Sequence, residues 1–397
     1  MRHLADTILS NPQVSAVFGS GFEVYLIGGY LRDLFRGVIS RDIDFVFRGD
    51  PKAFIDRLTS RIGGRVVEFE KKGLTRLVLN RTTLDFTELK GGLIEDLSQR
   101  DFAMNSLAWS PQEGVIDPFK GCDDIRRGIV RAIARKNFID DPLRLLRAYR
   151  FAGEFSWHIE TKTRTFIKEL HDNMQRPSHE RITLEIFKLL NSAGYRRAIK
   201  WSHADGILTS FLVIDSGRLR RNIKAFSSFD TFLEKLPDRY RLKFQESFAQ
   251  DLTYCGLLRA EILLYGADLK TSRLRLSNTI AKRIALTTDL LSLYEKHPKL
   301  LRRELYQLFA KADPSVMDFA FLTRKKRVID EAGRFVNSRM VISSEEIMEM
   351  TGLRPGSELG AIIKEIRRLQ FFRVISDRAD AERWLKRQCP PGSEGVI

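Results

Sequence analysis

Apolar residues in the first third of the chain recur mostly at the spacing of strands. EVYLIGG, DIDFVF, GRVVEFE, LTRLVLN and TLDFTEL are short runs, rich in β-branched and aromatic residues and bounded by turn formers. They predict strands that alternate with helical or turn segments up to about residue 130, as in a small α/β or α+β domain. From about residue 136 the interval changes. DPLRLLRAYRFAGEF, ERITLEIFKLLN, RRELYQLFAKA and ELGAIIKEIRRLQ carry apolar residues at helical spacing and strand signals nearly vanish, so a long helical stem is expected to follow. HDNMQRPSHE reads as a break within the stem, and residues 332–341 are expected to set off a last small helical unit. The closing QCPPGSEGVI reads as a frayed tail.

Composition adds a partner class. A length of 397 residues favours two to four domains, and 43% hydrophobic content is ample for packed cores. Sixty-seven Lys and Arg against 51 Asp and Glu leave a formal net charge of +16, which suits a polyanionic partner. No apolar run approaches the roughly 20 residues of a membrane span, and MRHLADTILS has no signal-peptide core, so a cytoplasmic protein with no membrane partner is expected. Cys122, Cys255 and Cys389 are scattered singly, without the paired spacing of a zinc site or a disulfide framework. Any catalytic metal is therefore expected on oxygen ligands.

One strand departs from economical packing. In DIDFVF, Asp42 and Asp44 share one face and Ile43, Phe45 and Phe47 the other. Two carboxylates two residues apart on a strand converge on Mg²⁺, which prefers hard oxygen ligands and fills its remaining positions with water and substrate phosphates. Asp85 in TLDFTEL, set opposite to Leu84 and Phe86 by the same alternation, is the candidate third carboxylate of a two-metal site. Gly28 and Gly29 lie between the strand-like VYLI and the helix-like LRDLF, where backbone amides can approach phosphate without an intervening Cβ.

IGGYLRD followed by RDIDF resembles the head of class II tRNA nucleotidyltransferases, a group of CCA-adding enzymes and bacterial poly(A) polymerases in the polymerase-β superfamily. EDLSQRDFAMNSLA from Glu95, IDPFKGCDDI from Ile116, DDPLRLLRAYRF from Asp140 and ERITLEIFKLL from Glu180 follow in the family's order. The resemblance implies an α+β head with a small mixed or antiparallel sheet, followed by an all-α, elongated neck, body and tail. The corresponding domains are a catalytic head over 1–135, a neck for base recognition over 136–200, and a body (201–335) and tail (336–397) that bind tRNA. It further implies that Gly28, Gly29 and Arg32 hold the nucleotide triphosphate and that Asp42 and Asp44 bind Mg²⁺. Arg100, Asp101 and Asn105 fall in the segment that selects ribose; there the family's usual RRDFTINA is changed at Gln99, Ala103, Met104 and Ser106.

The family reads its incoming base with an Asp and an Arg of the DDPLR motif, here Asp141 and Arg144, and Arg147 and Arg150 on the same predicted helix face are counted with them. The chemistry is consistent with that role. A carboxylate accepts and a guanidinium donates, which matches the amino group and bare ring nitrogen of cytosine or adenine and mismatches uracil and guanine. Asp141 followed by Pro142 also reads as an ordinary helix cap with proline at the first helical position. Only Lys90 to Ile94 separate TLDFTEL from EDLSQRDF, where relatives that incorporate A have a much longer segment. The short link resembles the CC-adding subgroup. The expectation is therefore Mg²⁺-dependent addition of CC to the 3′ end of tRNA from CTP, through contacts to the acceptor arm. A full CCA-adding enzyme that also takes ATP, an A-adding enzyme or poly(A) polymerase, a small-molecule nucleotidyltransferase and an inactive RNA-binding relative are the alternatives.

Overall fold

The computed structural model of the chain describes residues 2–69, 73–79, 82–249, 251–338 and 340–388. Cys389 and all of the expected tail beyond Gln388 lie outside them. A seven-stranded sheet is built from β1 (Glu23–Ile27), β2 (Asp42–Arg48), β3 (Arg65–Phe69), β4 (Leu74–Leu79), β5 (Thr82–Glu88), β6 (Ala108–Ser110) and β7 (Gly114–Ile116), in the order β3-β4-β5-β2-β1-β6-β7. The sheet is mixed. β2 and β5 run parallel, and the other pairs are antiparallel. β6 and β7, three residues each, are too short to show alternation, and the sequence pattern alone passes over them.

The face of β2 that carries Ile43, Phe45 and Phe47 is fully buried. Phe45 stacks on Phe86 at 5.3 Å between centroids, Phe47 stacks on Phe54 at 4.1 Å, and Phe54 meets Phe86 edge-on. Each such ring contributes about 1.5–3 kcal/mol by burial. Phe54 belongs to the helix Pro51–Ile62, which starts at an Asp50 cap that accepts from the Ala53 amide and stops at Gly63. This helix covers the sheet face opposite the aspartates. The aspartate face is divided along β2: Asp42 and Asp44 lie at the strand's start, and Val46 beyond them enters a second apolar cluster with Ile27, Leu89, Leu97 and Ala108. The polar face is therefore confined to one end of the strand.

After residue 135 the chain is largely helical. Exceptions are the two-residue strand His158–Ile159, paired with Ile129–Val130, and a small hairpin of Ser247–Ala249 with Leu252–Thr253. The expected break HDNMQRPSHE is a 3₁₀ turn, His171–Gln175, ahead of the helix His179–Asn191. One compact unit runs to Asp215 and takes in Ser247–Gly256 and Ala267–Arg275; the other comprises Ser216–Glu246, Leu257–Gly266 and the chain from Leu276 onward. Within the second unit, the helix Lys326–Asn337 extends through much of the expected boundary at 332–341. Ile342, Ile347, Leu359, Ile366, Leu369, Ile375, Ala381 and Leu385 then form a core of their own. Among the described residues no helix is long and apolar enough to cross a membrane.

Candidate active site

The first unit holds a cavity of about 530 Å³ lined by Gly28, Gly29, Arg32, Asp42, Asp44, Arg100, Asp101, Asn105, Asp141, Arg144, Arg147, Arg150 and Phe151. Twelve of these thirteen are the residues singled out in the sequence, drawn from segments up to 122 positions apart. Phe151 is the addition, and Asp85 is the one candidate outside the lining.

β1 ends at Ile27 and the chain turns at Gly28, whose φ of +73° lies in the left-handed region. A Cβ there would stand 2.9 Å from Nη1 of Arg100. Both features favour glycine. The following helix, Gly29–Phe35, carries the buried Arg32. Its Nη1 donates to Asn105 Oδ1 at 2.7 Å, and its Nε and Nη2 donate to the two oxygens of Asp33 at 3.0 and 2.9 Å. The guanidinium lies 4.8 Å above the Phe155 ring and 5.2 Å from Phe151. Of its five N–H groups these bonds use three, so two remain for a ligand.

Asn105 links this arginine to a second. Its Nδ2 donates to Asp101 Oδ1 at 2.8 Å, and Asp101 Oδ2 accepts from Arg147 Nε and Nη2 at 2.9 and 2.7 Å. Burial opposes ionisation of Asp101, but Arg147, Asn105 and the Phe102 amide outweigh it and hold its carboxyl below the usual carboxylate range. Arg147 continues to Glu185 at 3.3 Å, and Glu185 to Arg150 at 2.7 Å. A chain of polar contacts, through neutral Asn105 and then alternating acids and arginines, thus runs along the cavity from Arg32 to Arg150. Glu185 escaped sequence reasoning, although a carboxylate beside the apolar stripe of Ile182, Ile186 and Leu189 was the available signal. The motif IDPFKGCDDI serves this network indirectly: Asp117 accepts from the Gly121 and Cys122 amides, and Gly121 packs so closely on the Ala103 carbonyl that no Cβ fits.

Asp141 and Arg144 face the cavity, but not as a pair on one helix. Asp141 is extended, with φ −132° and ψ 92°, between the helices Arg135–Asp140 and Leu143–Glu154. Pro142 disfavours a helical conformation in the residue before it, which is why Asp141 stays outside. It still receives the Leu143 amide at 3.3 Å, so the capping expectation holds in part. Its two oxygens pair with Arg181 at 3.2 and 2.7 Å, and Arg144 Nη1 donates to the Asn137 carbonyl at 3.2 Å.

At the far wall, Asp42 is exposed and Asp44 is half-buried. Burial, then the neighbouring Asp85 and Asp42 charges, raises the pKa of Asp44 despite the opposing effect of Arg100 and Arg76. That is the state of a carboxylate short of positive charge, and it fits a divalent cation held on Asp42 and Asp44. Asp85 stands level with Asp44 across the parallel β2–β5 pair, yet its oxygens are taken by Arg76 at 2.8 and 2.7 Å. Among the described residues no group of three carboxylate, thiol or imidazole side chains is arranged to hold a metal.

Residues 87–131 match the family model of the poly A polymerase head domain, and residues 157–212 match that of the probable RNA and SrmB-binding site of polymerase A. The chain is 27% identical to a CC-adding tRNA nucleotidyltransferase of Geobacter sulfurreducens, covering 98% of each chain. It is 26% identical to an A-adding tRNA nucleotidyltransferase of Deinococcus radiodurans, covering 93% of this chain and 96% of that one. It shares the fold of the Thermotoga maritima CCA-adding enzyme complexed with tRNA, with a TM-score of 0.71 at 20% identity over 96% of this chain and 95% of the other.

Proposed function

We propose, on the premise that the chain belongs to the class II tRNA nucleotidyltransferases and poly(A) polymerases and is a nucleotidyltransferase, that it adds two cytidines to the 3′ end of tRNA. The observation that carries this reading is the convergence of the Gly28–Gly29 turn, the Asp42–Asp44 pair and the Asp141–Arg144 segment on one cavity of about 530 Å³, within the size range of a nucleotide site. In the reaction the terminal 3′ hydroxyl of the RNA loses its proton to solvent, its oxygen bonds to the α-phosphorus of CTP, the bond from that phosphorus to the α–β bridging oxygen breaks, and pyrophosphate leaves.

The roles follow from the donor sets. Asp42 and Asp44 hold Mg²⁺, which when bound favours the deprotonated acceptor hydroxyl and neutralises the leaving pyrophosphate. The two spare N–H groups of Arg32 and the guanidinium of Arg100 bind the triphosphate. Asn105, fixed between Arg32 and Asp101, presents its edge to the ribose. The Asp141 oxygens keep lone pairs beyond those given to Arg181, so they accept the exocyclic amino group while Arg144 donates to the ring nitrogen. Arg147 holds the helix of Arg144 against the head through Asp101, and Arg147 and Arg150 together tie it to the helix His179–Asn191 through Glu185. Residues 1–135 act as the head and 136–200 as the base-reading neck, while the body (201–335) and tail (336–397) bind the tRNA.

Support for stopping after CC is local. β5 ends at Glu88 and the next helix begins at Leu93, so four residues, Leu89–Gly92, form the connection, with Leu89 itself in the core. Leu93 and Ile94 belong to the helix, which leaves the link even shorter than the sequence suggested. Such a connection has no slack to reshape the pocket from cytosine to adenine. A transcript ending at the discriminator base is expected to gain two residues with CTP alone, and no third when ATP is added. Efficient conversion of a CC end to CCA by ATP would make this a full CCA-adding enzyme, for which the compatibility of Asp141 and Arg144 with both bases speaks.

A further inference from the structure

On β4, Arg76 stands directly across from Asp85. Its Nε and Nη2 take both carboxylate oxygens, at 2.8 and 2.7 Å, in the two-point fork that makes arginine the tightest partner for a carboxylate. The Asp85 side chain is 15% exposed and that of Arg76 40%, so the acid is enclosed and the base reaches it from the solvent side. The guanidinium also lies 5.6 Å from the Phe69 ring. Asp85 is in turn level with Asp44 across the β5–β2 pair, within a strand spacing of the proposed metal site, yet outside the cavity that Asp42 and Asp44 line.

We infer that Arg76 is a positioning residue that withholds Asp85 from the metal site, so that the free enzyme offers a divalent cation two carboxylates rather than three. The inference rests on the reading that Asp42 and Asp44 hold the metal. Affinity for a hard cation rises with the number and charge of its oxygen ligands. A two-carboxylate site is therefore weak on its own and becomes strong when triphosphate oxygens supply further ligands. The consequence is an order of events: the metal is taken up with the nucleotide, and the acidic strand ends do not trap a cation ahead of it.

Mn²⁺ binding to the full chain, without nucleotide or RNA, tests this. Affinity is read from the electron paramagnetic resonance of free Mn²⁺, and the number of Mn²⁺-bound waters from proton relaxation. Arg76→Gln frees Asp85 and is expected to tighten Mn²⁺ binding about tenfold, with one fewer bound water. Arg76→Gln combined with Asp85→Asn removes the pair without changing net charge and is expected to return to the wild-type value within about threefold. Arg76→Lys, which keeps the charge but not the fork, is expected to lie between wild type and Arg76→Gln, and it carries the test if the glutamine variant does not fold. Unchanged or weaker binding by Arg76→Gln and Arg76→Lys would overturn the inference. A double variant that binds about tenfold more weakly than wild type would do the same, because Asp85 would then be a ligand in the unmodified enzyme. Asp44→Asn separates the two layers: if it retains wild-type Mn²⁺ affinity, the assignment of the metal to Asp42 and Asp44 fails, whatever Arg76 does.

Discussion

If Asp44 holds the metal as proposed, a single side chain carries the tension between stability and function. Burial and the neighbouring acids raise its pKa, so the folded protein holds this proton more tightly than the unfolded chain does. The sign follows: no penalty exists below the unfolded value of about 3.9, and stability is lost as pH rises through the folded value. Asparagine at this position never ionises. In metal-free buffer Asp44→Asn is expected to withstand more denaturant than wild type at pH 7.5, with the difference shrinking as pH is lowered towards about 4. Mg²⁺ should narrow the difference at pH 7.5 by stabilising only the wild type. The same substitution should lower nucleotide addition at least about a hundredfold, as loss of several kcal/mol of metal stabilisation requires. Equal stability of the two proteins at every pH would remove the carboxylate from its crowded position.

At the scale of elements, the network Arg32–Asn105–Asp101–Arg147–Glu185 fastens the turn Ala103–Asn105 to the helices Leu143–Glu154 and His179–Asn191. Asp101 is its centre and is held below the ordinary carboxylate range, so its contribution is present above about pH 3.9 and fades as pH falls through the folded value. Asp101→Asn leaves Arg147 short of one of its two acids and is expected to cost about 3–5 kcal/mol in urea unfolding at pH 7. The gap to wild type should close in acid; a gap constant down to pH 3 would mean that packing, not charge, is what Asp101 supplies. Individual residues of this network were legible as candidates because they fall in compact motifs, but the bonds among them were not. They join positions such as Asp101 and Glu185 to Arg147, whose sequence separations carry no periodic signal. The strands β1, β2 and β5 were legible because one face is continuously apolar. Counting Asp141 with Arg144 on one helix face misplaced it, because the residue before a proline is biased to an extended conformation; the reading of Asp141 as a cap ahead of Pro142 already put it outside the helix. The Arg76–Asp85 pair was hidden for a simpler reason: strand register decides which cation meets which acid, and register is a property of the sheet.

For the whole molecule, the formal charge of +16 and the chemistry of the cavity make separate claims on the substrate. On the proposed reading the nucleotide is small and would be held by a few directed contacts to Arg32, Arg100, Asp141 and Arg144, which line one cavity. The proposed RNA substrate is long, and an excess of cations over anions would bind its phosphates by releasing condensed counterions, with affinity falling by roughly 0.7 to 0.9 logarithmic units per contacted phosphate for each tenfold rise in salt. If six or more phosphates are engaged, raising KCl from 50 to 200 mM should raise the KM for tRNA on the order of a thousandfold, while the KM for CTP rises far less. The expected slope is a property of the whole binding surface, so a single Lys or Arg removed from it should lower the slope by about one phosphate's share and leave the C-over-U preference of the cavity intact. Truncating the RNA to its acceptor arm discriminates further: a lower slope with unchanged turnover at saturation would assign the lost contacts to the remainder of the tRNA. Parallel salt dependence for CTP and tRNA, or none for either, would instead reduce the positive charge to a solvated surface and leave RNA recognition to the cavity alone.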